Sequence, residues 1–171
     1  MLALNVDEYP LILQKDVGTT RHTEDEILRM YATFRDLNAR AHVSQTRYVV
    51  VSMSLRIPDA RERQILADEA NRLAATDGIY CEKAIAVVES ALQRGLITAL
   101  GWLMPRFGSL IEVAPTIERA VDLGAERLGA IGIKVNADQK QRALRWFATV
   151  ETGTKTARLA SGGDPGRRTA T

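Results

Sequence analysis

Short runs of residues apolar on both faces, separated by segments in which apolar residues return at helical spacing, constrain this chain more than any other feature. Tyr48-Val49-Val50-Val51 has no polar alternate position, so as a strand it needs cover on both faces and belongs in the middle of a sheet. Ala84-Ile85-Ala86-Val87-Val88 reads the same way. Leu11-Ile12-Leu13, extended by Gln14 to Val17 and ended by Gly18, is the first strand of the set, and Leu110 to Val113 is the fourth. Strand runs alternating with helical segments indicate an α/β layer fold.

The helical segments carry their own start and stop signals. Thr23 with Glu26 forms a capping box ahead of Ile27, Met30, Tyr31, Phe34 and Leu37, a single buried stripe. Asp59 is a cap with Glu62 three residues on, before Leu66, Ala70, Leu73 and Ala74, and Asp77-Gly78 stops that helix. Ser90 with Gln93 opens the helix Leu92, Leu96, Leu100, Leu103, which Pro105 ends. Pro115 suits a first helical turn before Ile117, Ala120, Val121 and Leu128. Asn136 with Gln139 caps a last helix reaching about Val150.

Composition narrows the function classes. With 171 residues, 46% hydrophobic and 26% charged, the chain suits one globular domain. Its single cysteine, Cys81, excludes an intramolecular disulfide and a multi-cysteine zinc site, which suits a reducing cytoplasm. The net charge of +2 falls within residues 151–171, the first 150 residues being neutral, so no basic face for nucleic acid is indicated. The stretch from Ala91 to Met104 is interrupted by Gln93 and Arg94 and falls short of the roughly 20 residues a membrane span needs. The N-terminus lacks a basic region followed by an apolar stretch, so no secretory signal is expected.

The textures of Arg47 to Ser54, Ala84 to Val88, Leu92 to Leu103 and Val113 to Leu123 resemble the SpoIIAA-like branch of the STAS superfamily, bacterial domains also called STAS/SEC14-like and related to anti-sigma-factor antagonists. The resemblance covers about residues 9–130. It implies a mixed four- to five-stranded sheet with flanking helices, to which this chain adds an extra C-terminal helix. In those antagonists a serine at a helix N-terminus is phosphorylated, where backbone N–H groups and the helix dipole favour the phosphate. That motif falls on Asp59, Ala60 and Arg61, which offer no hydroxyl. Ser52 and Ser54 precede the helix start.

No pattern nominates an enzyme, a metal site or a cofactor. His22 and His42 lack neighbours at metal-ligand spacing and read as solvated. Gly124, Gly129 and Gly132 fall within or after a helix rather than between strand and helix, and no G-x-S-x-G elbow occurs. Cys81 reads as a small buried hydrophobe. Two interface candidates stand out. Ile97, Trp102 and Met104 lie off the stripe that contains Leu96, so that helix needs cover on two sides, within the subunit or in a homodimer. Trp146 and Phe147 face different directions on the last helix, so one can pack on the body while the other meets a protein partner.

The expectation is a STAS-like α/β domain over residues 1–133, an appended helix over 134–150 and a disordered tail over 151–171. Functionally it is a non-catalytic, cytoplasmic bacterial regulatory or protein-interaction module. The alternative, suggested by the SEC14-like label, is a binder of a small apolar or lipid ligand in a cavity lined by Leu96, Ile97, Leu100 and Val121.

Overall fold

The computed structural model describes residues 2–17, 21–54 and 57–150. In chain order they form β1 (Leu2–Asn5), β2 (Leu11–Asp16), α1 (Glu24–Ser44), β3 (Tyr48–Met53), α2 (Ala60–Thr76), β4 (Cys81–Val87), α3 (Ala91–Leu103), α4 (Pro105–Gly108), β5 (Ile111–Ala114), α5 (Ile117–Ala130) and α6 (Ala137–Thr149). The expected tail over 151–171 lies outside the described residues.

The sheet has five strands in the order β1-β2-β3-β4-β5. β1 runs antiparallel to β2, and every later neighbour is parallel. A crossover between parallel neighbours is right-handed almost without exception, so an order that never reverses keeps successive crossover helices on one face. α1 packs there against Ile12 and Val50, α2 packs against α1, and α3 and α4 stand over the same face. α5 and α6, which follow the last strand, cover the other. This is a three-layer α/β arrangement.

Strand alternation divides the core between these layers. Leu11, Leu13, Val49, Val51 and Ile85, all fully buried, meet Ala120, Val121 and Leu128 of α5 and Ala143 and Phe147 of α6. Each such Leu, Val or Ile contributes about 1.5–3 kcal/mol by leaving water. The helix over 134–150 thus shares the sheet's core. Gly124 lets α5 approach closely, since a Cβ there would lie 2.9 Å from Leu11 Cδ1.

The capping signals form as expected. Thr23, Asp59 and Asn136 each accept from the residue three on, and that residue's side chain returns the bond. Gln93 N–H donates to Ser90 Oγ at 3.2 Å, and Ser90 N–H to Gln93 Oε1 at 3.1 Å. Gly78 ends α2 with φ +74°, a left-handed conformation that favours glycine.

Four boundaries differ from the sequence reading. β1 was not expected; its Leu2 and Leu4 pack under α1, which makes an antiparallel edge worth forming. Cys81 opens β4 rather than preceding it. Pro105 ends α3 and then starts the single turn α4. Pro115 stands before the cap, because Thr116 accepts from the Arg119 N–H and α5 begins at Ile117.

Candidate functional site

A strand order without a reversal has no switch point, the crevice at which open α/β sheets commonly bind ligands. Space opens instead between the sheet and the α1, α2, α3 and α4 layer. The parallel register puts Ile12, Val50, Ala84 and Ile111 in one row on that face, and Gln14, Ser52, Ala86 and Val113 in the next. Ala84 and Ala86 are too small to reach the helices. The result is a cavity of about 270 Å³, floored by Val50, Ala84 and Ala86 and roofed by Phe34, Ile97 and Phe107.

The walls are mostly apolar, and their polar atoms are largely committed elsewhere. Tyr31 Oη donates to the Leu66 carbonyl at 2.8 Å, and Tyr48 Oη to Asn38 Oδ1 at 2.8 Å. Burial pushes both phenols well above their ordinary range, with Glu69 adding to Tyr31 and Cys81 to Tyr48. Cys81 also lines the cavity; its Sγ donates to the Lys83 carbonyl at 3.3 Å, and burial pushes the thiol up to about 12. A thiol so protected is no nucleophile at neutral pH.

At the carboxyl ends of β2 and β3 the wall turns polar. Ser54, the last residue described after β3, donates to Asp16 Oδ2 at 3.1 Å. His22 Nε2 lies 3.0 Å from Asp16 Oδ1, and His22 Nδ1 lies 3.6 Å from Glu26 Oε2. The His22 backbone N–H donates to Glu62 Oε1 at 2.7 Å, which ties the start of α1 to that of α2. The expectation of a solvated His22 is therefore corrected: its side chain is 6% exposed, set between Asp16 of β2 and Glu26 of α1. His42 is exposed and bonds Tyr80 Oη. Among the described residues no group of three or more His, Cys, Asp or Glu could hold a metal ion.

The sequence-derived site residues divide between several environments. Asp59 caps α2, accepting from Glu62 N–H at 2.9 Å, and its other oxygen meets Arg21 Nε at 3.1 Å. Ala60 and Arg61 follow in the first turn. Ile97 and Met104 line the cavity, whereas Trp102 is 79% exposed. The side chains of Leu96 and Leu100 lie outside the described residues. Val121 belongs to the opposite face: it is buried between α5 and the sheet, so it cannot line the cavity, a correction that follows from the last helices crossing to the other side of the sheet. Phe147 is buried and Trp146 half-buried against it, with ring centroids 5.1 Å apart. Sequence reading missed Gln14, Ser52 and the paired alanines of β4. The alternation Ala84-Ile85-Ala86 was the available signal.

Comparison with known proteins gave no matching family model, no matching curated protein and no matching solved structure. Among the described residues no helix is long and apolar enough to cross a membrane.

Proposed function

We propose that this chain is a non-catalytic, cytoplasmic bacterial binding module of STAS-like type, and that it takes up a small apolar ligand between the sheet and the α1–α2–α3 layer, in the SEC14-like manner. The partly open pocket of about 270 Å³ carries this reading, because a mostly apolar concave space with a few polar groups at one end is a default ligand site. The mixed five-stranded sheet with flanking helices is compatible with the STAS-like assignment. A regulatory switch by phosphorylation at the start of α2 is not part of the proposal, since Asp59, Ala60 and Arg61 carry no hydroxyl there. Titration with the neutral fluorophore N-phenyl-1-naphthylamine tests the reading. Saturable micromolar binding by the wild type, abolished by Ala84→Phe, is expected; no saturable binding would overturn it.

A second reading, a protein-interaction module that self-associates, draws on α3. Leu92 and Trp102, at opposite ends of α3, are 67% and 79% exposed, Leu103 is exposed on the same helix and exposed Val113 lines one groove with Trp102, apolar surface that suits contact with a second copy. Sedimentation equilibrium distinguishes it: a dimer at micromolar concentration that Trp102→Glu turns into a monomer supports homodimer formation, and a wild-type monomer removes it.

A further inference from the structure

We infer that the cavity selects an uncharged amphiphile, whose one hydrogen-bonding group sits between Gln14 and Ser52 and whose apolar part runs towards Phe34 and Ile97. The inference rests on the proposed reading of the cavity as a ligand site and names the class of ligand.

Gln14 and Ser52 are register partners on adjacent parallel strands, and both line the cavity on the same face of the sheet. Tyr31, Tyr48 and Ser54 spend their hydroxyls on Leu66, Asn38 and Asp16. Gln14 and Ser52 differ. No side-chain hydrogen bond ties either group to the rest of the protein among the described residues. A half-buried carboxamide and hydroxyl at the edge of an apolar space are costly to cover unless the molecule that covers them answers their hydrogen bonds. Polarity rises along the strands, from Ile12 and Val50 through Gln14 and Ser52 to Asp16 and Ser54. That gradient orients an amphiphile with its polar end towards the carboxyl ends of the strands.

Charge decides what kind of polar end fits. The described lining residues include no Lys, Arg, His, Asp or Glu. A carboxylate, phosphate or ammonium placed there would be desolvated with no counter-ion among the described lining residues; Asp16, two positions beyond Gln14, would repel an anion and is already engaged by Ser54 and His22. A neutral alcohol, ketone or amide meets neither penalty. Size decides the rest: an engineered cavity of about 150 Å³ takes benzene, and drug-sized sites begin at about 300 Å³. A pocket of about 270 Å³ accommodates one ring system or one short chain.

Three eight-carbon probes that differ only in head-group charge test this: 1-octanol, octanoate and octylammonium, each displacing N-phenyl-1-naphthylamine from the full chain at pH 7.5. Octanol is expected to displace it at least tenfold more tightly than either ion. The Gln14→Leu/Ser52→Ala variant is expected to lose about tenfold in octanol affinity while still binding the fluorophore. Octanoate or octylammonium equalling octanol would overturn the inference, as would an unchanged octanol affinity in the variant. In either case the cavity reading survives if the fluorophore binds. Failure of the fluorophore to bind the wild type sinks both.

Discussion

Lys15 Nζ donates to the Phe147 carbonyl oxygen at 2.8 Å, joining β2 to the last turn of α6 across 132 positions of sequence. Lys15 is 1% exposed and shares its sheet row with Met53, Val87 and Ala114. An ammonium in such company is tolerable because the final carbonyls of a helix lack intrahelical partners and form the negative end of its dipole. A second clamp holds the same helix: Arg142 meets Glu8 through two hydrogen bonds of 2.6 and 2.8 Å. Helix α6 is thus fixed by polar contacts at both sides of its buried Phe147.

Truncating Lys15 should cost more than neutralising it. Lys15→Ala leaves both a void and a helix end without its donor, so a loss of about 2–4 kcal/mol is expected in urea unfolding. Lys15→Met keeps the volume and relieves the desolvated charge, so its loss should be less than half of that. Equal losses would show that charge, not shape, holds α6.

Two glycines on α5 should respond to alanine with opposite signs. At Gly129 nothing lies within 4 Å of an added Cβ, so Gly129→Ala should stabilise by about 0.5–1 kcal/mol through helix propensity. At Gly124 the added Cβ meets Leu11 Cδ1 at 2.9 Å, with Val49 and Val51 side chains at 3.4 Å. Gly124→Ala should therefore cost about 1 kcal/mol, overpacking outweighing propensity. Thermal unfolding of the two variants measures the difference.

Filling the cavity should be cheap. Small-to-large changes in a packed core cost about 1–3 kcal/mol, but Ala84 faces open volume. Ala84→Leu is expected to stay within about 1 kcal/mol of the wild type and to weaken N-phenyl-1-naphthylamine binding at least tenfold. A large loss of stability with binding intact would place the bound fluorophore elsewhere.

Cys81 should make the fold alkali-sensitive. Burial raises its pKa from 9.0 to about 12, so the folded state keeps the neutral thiol while the unfolded state ionises. The stability this neutral thiol contributes is fully present below 9.0 and is lost as pH rises towards about 12. The urea midpoint should fall between pH 9 and pH 11, and less steeply in Cys81→Ala. At pH 8 a thiol reagent should label Cys81 only when the chain unfolds.

Much of the local structure was legible because its causes are local. Capping boxes at Thr23, Asp59, Ser90 and Asn136 need only residues three apart, and the runs Tyr48–Val51 in β3 and Ala84–Val87 in β4 declare themselves by lacking polar alternates. β1 escaped notice because four residues at an edge carry little periodicity; Leu2 and Leu4 become informative only once α1 lies over them. His22 escaped for a related reason. Glu26 stands four residues on, but Asp16 ends β2 and Glu62, which accepts from the His22 backbone N–H, lies in α2, and neither of those contacts is written in spacing.

By itself the sequence determined the alternation of strand and helix, the caps that start the helices and the absence of a hydroxyl at Ala60. Those features follow from backbone hydrogen bonding and side-chain period within a few residues. Only the tertiary structure decided which face each helix covers, and so moved Val121 away from the cavity and set Gln14 beside Ser52 over a floor made open by two alanines. Strand order and register control those outcomes, and both arise from contacts between segments distant along the chain.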